Sequence, residues 1–260
     1  MDFTGKVVLI TGASAGIGAS CALHFAKLSA DLALVGRNVK NLNKIAEQCT
    51  KASGKEPLII IADISVEENI ARIIKETIDK YERLDVLVNN AGIVIMATFM
   101  DDIKNFDRLV ATNIRGPYLL TQQAIPHLIE SKGNVVNVSS IVSSVPIPAM
   151  MPYCMTKAAL DMFTKCVALE VAPKGVRVNS VNPGPVNTEL FKRAGFDEER
   201  NKGIFAMMAA TMPLKKYAHG EDVAKLVAFL ASDSASCITG SRYEVDCGLH
   251  LGTPVLDSKN

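Results

Sequence analysis

The sequence contains no tryptophan, and its nine Phe and five Tyr amount to only 5% of residues. Whatever core it builds is therefore aliphatic. Six cysteines (Cys21, Cys49, Cys154, Cys166, Cys237 and Cys247) are scattered without a C-x-x-C pair, and the four histidines do not cluster. Those absences exclude the spacing of a structural zinc site or a disulfide framework, and they point to a reducing compartment. No apolar run reaches the ~18 residues that a membrane span needs. The opening Met1-Asp2-Phe3 lacks the basic region of a secretory signal, and the closing Asp257-Ser258-Lys259-Asn260 is not the S-K-L peroxisomal address. No basic tract stands out and the formal net charge is +1, which argues against a nucleic-acid surface. The expectation is a cytoplasmic protein without metal, membrane or nucleic-acid partners.

What is present is enough apolar material for one large domain: 48% of 260 residues, with 21% charged. Short β-branched runs alternate with segments of helical period. Strands are expected at 6–10, 32–35, 57–61, 84–92 (a strand with its exit loop), 133–140, 176–181 and 243–246. Helices are expected at 18–30, 41–49, 66–81, 103–130 (bent near Gly116-Pro117), 152–171 and 221–232. Near-continuous apolar strands separated by helices indicate an α/β fold, a parallel sheet covered on both faces. Residues 187–216 break this rhythm with a long connection mixing charges with Phe and Met, and a lid over a binding site is the expectation there.

The first strand runs into Thr11-Gly12-Ala13-Ser14-Ala15-Gly16-Ile17-Gly18, which opens the first helix. Glycine permits the tight turn and lets backbone approach a pyrophosphate, while the helix N-terminus offers unpaired N–H groups and a positive dipole end. Gly12, Ser14, Ala15, Gly16, Ile17 and Gly18 are the candidate phosphate contacts. A carboxylate after the second strand would accept a ribose 2′-hydroxyl. Gly36-Arg37-Asn38 stands there instead, and a guanidinium suits a 2′-phosphate. NADP(H) is expected on this ground, with NAD(H) as the alternative if Arg37 is an ordinary solvated arginine.

Further along come Asn89-Asn90-Ala91-Gly92, Asn113, Asn137-Val138-Ser139-Ser140, Tyr153-x-x-x-Lys157 and Asn182-Pro183-Gly184-Pro185-Val186-Asn187-Thr188. In this order, on alternating elements, they resemble the short-chain dehydrogenase/reductase family over almost the whole chain. The resemblance implies one doubly wound Rossmann-type domain spanning 1–260, with a seven-stranded parallel sheet and helices on both faces. It also implies assembly as a homo-oligomer, often a tetramer. A further implication is hydride exchange between nicotinamide and a small-molecule ketone or secondary alcohol, without a metal. Tyr153 and Lys157, four apart on a helix, project from one face. An adjacent ammonium is expected to lower the phenol pKa from its usual ~10, readying Tyr153 as proton donor or acceptor. Ser140, thirteen residues before Tyr153, matches the family's catalytic serine, and Asn113 its fourth catalytic residue. Asp63 and Ile64 match the adenine contacts. Asn89, Ala91 and Gly92 match the nicotinamide side, Lys157 and Tyr153 the ribose, and Pro183, Gly184, Val186 and Thr188 the carboxamide loop.

The substrate pocket is expected to combine 93–99, 141–151 and the 187–216 lid. Their Ile, Val, Met and Phe content predicts an apolar or amphiphilic carbonyl (steroid-like, isoprenoid or 3-oxoacyl) over a sugar. Two other readings are an NAD-linked alcohol dehydrogenase and a non-catalytic nucleotide-sensing scaffold. The second sits poorly with the presence of both Tyr153 and Lys157.

Overall fold

A computed structural model of the chain describes residues 1–187 and 198–252. Seven parallel strands form one sheet in the order β3-β2-β1-β4-β5-β6-β9: β1 (Val7–Thr11), β2 (Asp31–Gly36), β3 (Leu58–Ile61), β4 (Val86–Asn89), β5 (Asn134–Val138), β6 (Arg177–Pro183) and β9 (Arg242–Val245). Alternation along the strands divides the core. Val8, Ile10, Leu32 and Leu34 face one side, where Phe25 of α1 (Gly16–Lys27), Leu42 of α2 (Val39–Ser53) and Val223 of α8 (Gly220–Ala231) pack. Val7, Leu9, Ala33 and Val35 face the other, against Ile70 and Ile73 of α3 (Glu67–Tyr81), Leu120 of α5 (Gly116–Ser131) and Ala168 of α6 (Met151–Val171). The largest fully buried side chains are mostly aliphatic, as the scarcity of aromatics requires.

Successive strands are added outward in opposite directions from β1 and β4, so the crevice beyond the carboxyl ends of these two is the topological switch point where such sheets bind ligands. Two elements differ from the sequence expectation. The helix predicted over 103–130 is α4 (Ile103–Val110), one π-helical turn (Ala111–Arg115), then α5. Pro117 explains the break: it has no N–H to offer the carbonyl of Asn113, four residues earlier. The 187–216 connection also holds structure of its own. Its feet pair as a short parallel ribbon, β7 (Val186–Asn187) with β8 (Ala218–His219), and α7 (Glu198–Thr211) lies between them. Thr188 and the first part of this connection lie outside the described residues.

Candidate active site

The glycine loop is held from the next strand over. Asn90 Nδ2 donates to the carbonyls of Thr11 (2.8 Å) and Gly12 (3.3 Å). The Thr11 hydroxyl accepts from the Asn90 and Ala91 N–H groups, both at 3.0 Å. Gly12 has φ +68, and a Cβ on Gly18 would sit 2.4 Å from both Asn90 Nδ2 and the Gly12 carbonyl, so glycine is required at both positions. The N-cap of α1, Ala15, offers no side-chain hydrogen bond, and the first turn holds no acid. The opening N–H groups of α1, around Gly16, Ile17 and Gly18, are thus without a cap and are fit to receive an anion. Beside them lies a 340 Å³ cavity lined by Ser14, Ala15, Gly16, Asn41 and Lys44 among others. Lys44 was not singled out from the sequence; only its place on the polar face of α2 marks it.

Arg37 and Asp63 were read as contacts to separate parts of a nucleotide. They pair instead, at 3.0 Å, with the Arg37 side chain well exposed. Burial works against the Asp63 carboxylate, but hydrogen bonds from Ser65 and Arg37 outweigh it and hold the carboxyl below its usual range. Asn38 caps α2 by accepting from the Asn41 N–H at 2.9 Å. Ile64 is a core residue whose side chain and carbonyl crowd Gly116, so only its main chain is left for a ligand. Asn89 likewise points inward, donating to Thr121 Oγ1 and Asn137 Oδ1, both at 2.9 Å.

At the carboxyl ends of β4, β5 and β6 the predicted reactive side chains do converge. Tyr153 and Lys157 share a face of α6, with Lys157 Nζ 5.7 Å from the phenol ring centre. Lys157 is 5% exposed and donates to the Val138 carbonyl at 2.9 Å. Among the described residues this is the single hydrogen bond of the ammonium, which leaves capacity in its three donors. Gly92 lies alongside: a Cβ there would be 3.3 Å from Asn113 Oδ1 and 3.7 Å from Lys157 Nζ. Asn113 is buried in the π turn. It closes a two-way link with Ile93 (N–H to Oδ1 and Nδ2 to carbonyl, each 2.9 Å) and reaches Thr156 Oγ1 at 3.2 Å. Ser140 lies beside the Tyr153 phenol; its hydroxyl donates to the Pro183 carbonyl at 3.4 Å and accepts from the Val142 N–H at 3.3 Å. Ser139 points away, donating to the Lys157 carbonyl at 3.2 Å. Gly184 packs so closely on Asp246 that a Cβ would lie 2.7 Å from the Asp246 Cβ, and its N–H bonds the Val245 carbonyl. Val186 opens the ribbon beneath the 187–216 connection.

The expectation of a lowered phenol pKa is overturned. The residue is half-buried, and desolvation pushes the phenol up to about 12, with the neighbouring Ser140 pulling the other way. Burial also lowers the Lys157 ammonium to about 8, with Asp161 pulling the other way. At this distance desolvation of both groups outweighs their mutual influence.

Residues 12–250 match the family described as enoyl-(acyl carrier protein) reductase. A short-chain dehydrogenase/reductase of unknown function from Caenorhabditis elegans, solved with cofactor, superposes with a TM-score of 0.92 at 33% identity, covering 96% of this chain and 97% of that one. The chain belongs to the short-chain dehydrogenase/reductase family. This oxidoreductase is also similar to the L-xylulose reductase of C. elegans, at 38% identity over 95% of this chain and 96% of the relative. L-Sorbose reductase from Gluconobacter frateurii, complexed with NADPH and L-sorbose, aligns at 30% identity with a TM-score of 0.91, covering 96% and 98% of the two chains.

Proposed function

We propose that this short-chain dehydrogenase/reductase is an NADP(H)-dependent reductase of apolar or amphiphilic ketones. The observation that carries the reading is a half-buried phenol beside Ser140 and one helical turn from the buried Lys157, with desolvation favouring its protonated form. A protonated phenol is the form needed to donate to a substrate oxygen; oxidation of an alcohol would need the phenolate. NADPH, when bound, supplies the hydride to the carbonyl carbon. The Tyr153 hydroxyl gives its proton to the oxygen as negative charge develops there, and Ser140 donates to that same oxygen. The Lys157 ammonium, with donors to spare, would hold the ribose hydroxyls of a bound dinucleotide. Asn113 fixes the Ile93 main chain next to it. Pro183, Gly184, Val186 and Thr188 are assigned to the carboxamide.

Preference for the 2′-phosphate rests on Arg37, on the Asn38-capped start of α2 and on Lys44 facing the cavity beside the glycine loop. The substrate class rests on the rim. Met96, Phe99 and Met100 on one loop with Ile103 at the start of α4, and Ile147 on another loop with Met151 at the start of α6, are exposed. The two loops are joined by the Ala97 N–H to the Ala149 carbonyl at 2.8 Å. So much accessible apolar surface suits an apolar partner. A sugar or polyol substrate is the second reading, favoured by the names of the L-xylulose and L-sorbose reductases. An NAD(H) enzyme is favoured by the engagement of Arg37 with Asp63.

We also propose a homo-oligomer in a reducing cytoplasm. Met155, Met162 and Leu169 recur every seven residues as an exposed stripe along α6, and all six cysteines are free. A monomer in sedimentation would remove the oligomer. Among the described residues no helix is long and apolar enough to cross a membrane. The deciding test of the activity is NADPH consumption with benzil, an apolar diketone, against L-xylulose, with NADH in parallel. Tyr153→Phe is expected to abolish turnover while NADPH binding persists; turnover surviving in that variant would reject the mechanism.

A further inference from the structure

Lys157 has a neighbour that the proposed mechanism does not use. Asp161, one helical turn further along α6, is 7% exposed. Both its oxygens contact Asn182 Nδ2, at 2.9 and 3.2 Å. The same amide nitrogen reaches the Ser140 main-chain carbonyl at 3.0 Å and Ser143 Oγ at 3.1 Å, and Asn182 Oδ1 accepts from Ser180 Oγ at 2.9 Å. The orientation of that amide is forced. A carboxylate and a main-chain carbonyl only accept, so the NH₂ group must face them. Pro183, the next residue, bonds the Ser140 hydroxyl. Asn182 and Pro183 together therefore grip both the main chain and the side chain of Ser140.

We infer that Asp161 is a positioning residue for the reductase reaction: through Asn182 it fixes Ser140 and the start of the substrate-side loop, and it sets a negative charge on the face of α6 that carries Lys157. The inference rests on the proposed Tyr153–Lys157 chemistry. The charged groups around the pair are few. Arg242 of β9 approaches Asp161 at 3.6 Å but is bound more closely by Glu244, at 2.7 Å. On α6 itself the neighbours are Tyr153 and the exposed Lys165. From β5 Lys157 meets the Val138 carbonyl and Ser139, and Asn113 of the π turn lies across Gly92 from it, none of them charged.

The test compares Asp161→Asn and Arg242→Met with the unaltered enzyme in NADPH-dependent reduction of benzil across pH. Asp161→Asn keeps the shape and removes the charge. Its kcat is expected to fall about tenfold through misplacement of Ser140, with the KM for NADPH unchanged. The alkaline limb of kcat/KM, where Lys157 loses its proton, is expected to move down by about one pH unit. Arg242→Met leaves the carboxylate without its cation and moves the limb upward. A purely structural Asp161 would lower activity in both variants without moving the limb, and that result overturns the inference. So does movement in the same direction in both. Should Asp161→Asn fail to fold, the direction in Arg242→Met decides alone. NMR of isotope-labelled lysine side chains follows the Lys157 titration without turnover, so an inactive enzyme would count against the proposed function and not against Asp161.

Discussion

Replacing Lys157 with methionine is expected to remove activity and, at the same time, to change how stability depends on pH. An ammonium buried to 5% exposure, with the Val138 carbonyl as its hydrogen-bond partner, is costly to keep charged. Its pKa falls from 10.5 in the unfolded chain to about 8 in the folded one, which corresponds to about 3 kcal/mol. The sign follows from proton binding. Between the two pKa values the unfolded chain carries a proton that the folded one has released, so the unfolded state binds more protons and stability rises with pH. Below about pH 8 the lysine is charged in both states and its full cost is present. From about pH 7 to about pH 10 most of that cost is relieved, roughly 2 kcal/mol. Methionine fills a similar volume without titrating. Urea melts of the two proteins across this range should therefore show the unaltered protein gaining about 2 kcal/mol relative to Lys157→Met as pH rises. The absolute difference at neutral pH is less diagnostic, because the variant also leaves the Val138 carbonyl without this donor. A difference that stays constant with pH would refute the picture of a lysine held charged at the expense of stability.

Two further substitutions probe the nucleotide side. Gly18→Ala drives a Cβ into Asn90 Nδ2 and the Gly12 carbonyl; a loss of about 2 kcal/mol in urea unfolding and NADPH binding weakened at least about tenfold are expected, and unchanged binding would show that the loop does not cradle the phosphate. Asp63→Ala releases Arg37 from its exposed ion pair, so the preference for NADPH over NADH measured by fluorescence titration should rise about twofold to fivefold. A falling preference would mean that Asp63 serves to orient the guanidinium.

The elements that could be read from the chain were those whose residues act locally. The strand runs, the glycine loop and the Tyr153-x-x-x-Lys157 spacing announce themselves through period and type, whereas Ser140, Asn113 and Gly92, which the structure places near that pair, were picked out by the family resemblance. What stayed hidden depends on groups distant in sequence. The Arg37–Asp63 pair joins the ends of two strands. Asp161 looks like one more polar position on a helix until Asn182 is seen against it. The direction of the Tyr153 pKa was missed for the same reason: pairing with Lys157 is visible in the sequence, whereas the degree of burial is a property of everything packed around it. The π turn at 111–115 was legible only as a bend, because Pro117 marks where a helical bond is lost and not which hydrogen-bond pattern replaces it.

The need to place α6 accurately also accounts for the polar side chains beneath it. Aliphatic contacts are non-directional, so a helix resting on Val and Leu alone can slide along the sheet at little cost. Here Asn137 of β5 donates to Thr164 of α6 at 2.8 Å and accepts from Asn89 of β4, which also donates to Thr121 of α5. Those directional bonds tie two strands and two helices at fixed register, and Ser139 adds a bond to the main chain of Lys157 itself. The arrangement is not free, since Asn89 Oδ1 is buried without a partner in the described structure. Stability alone would favour apolar residues at such positions. A reaction that needs the phenol on α6 to meet a serine at the end of β5 favours the bonds instead.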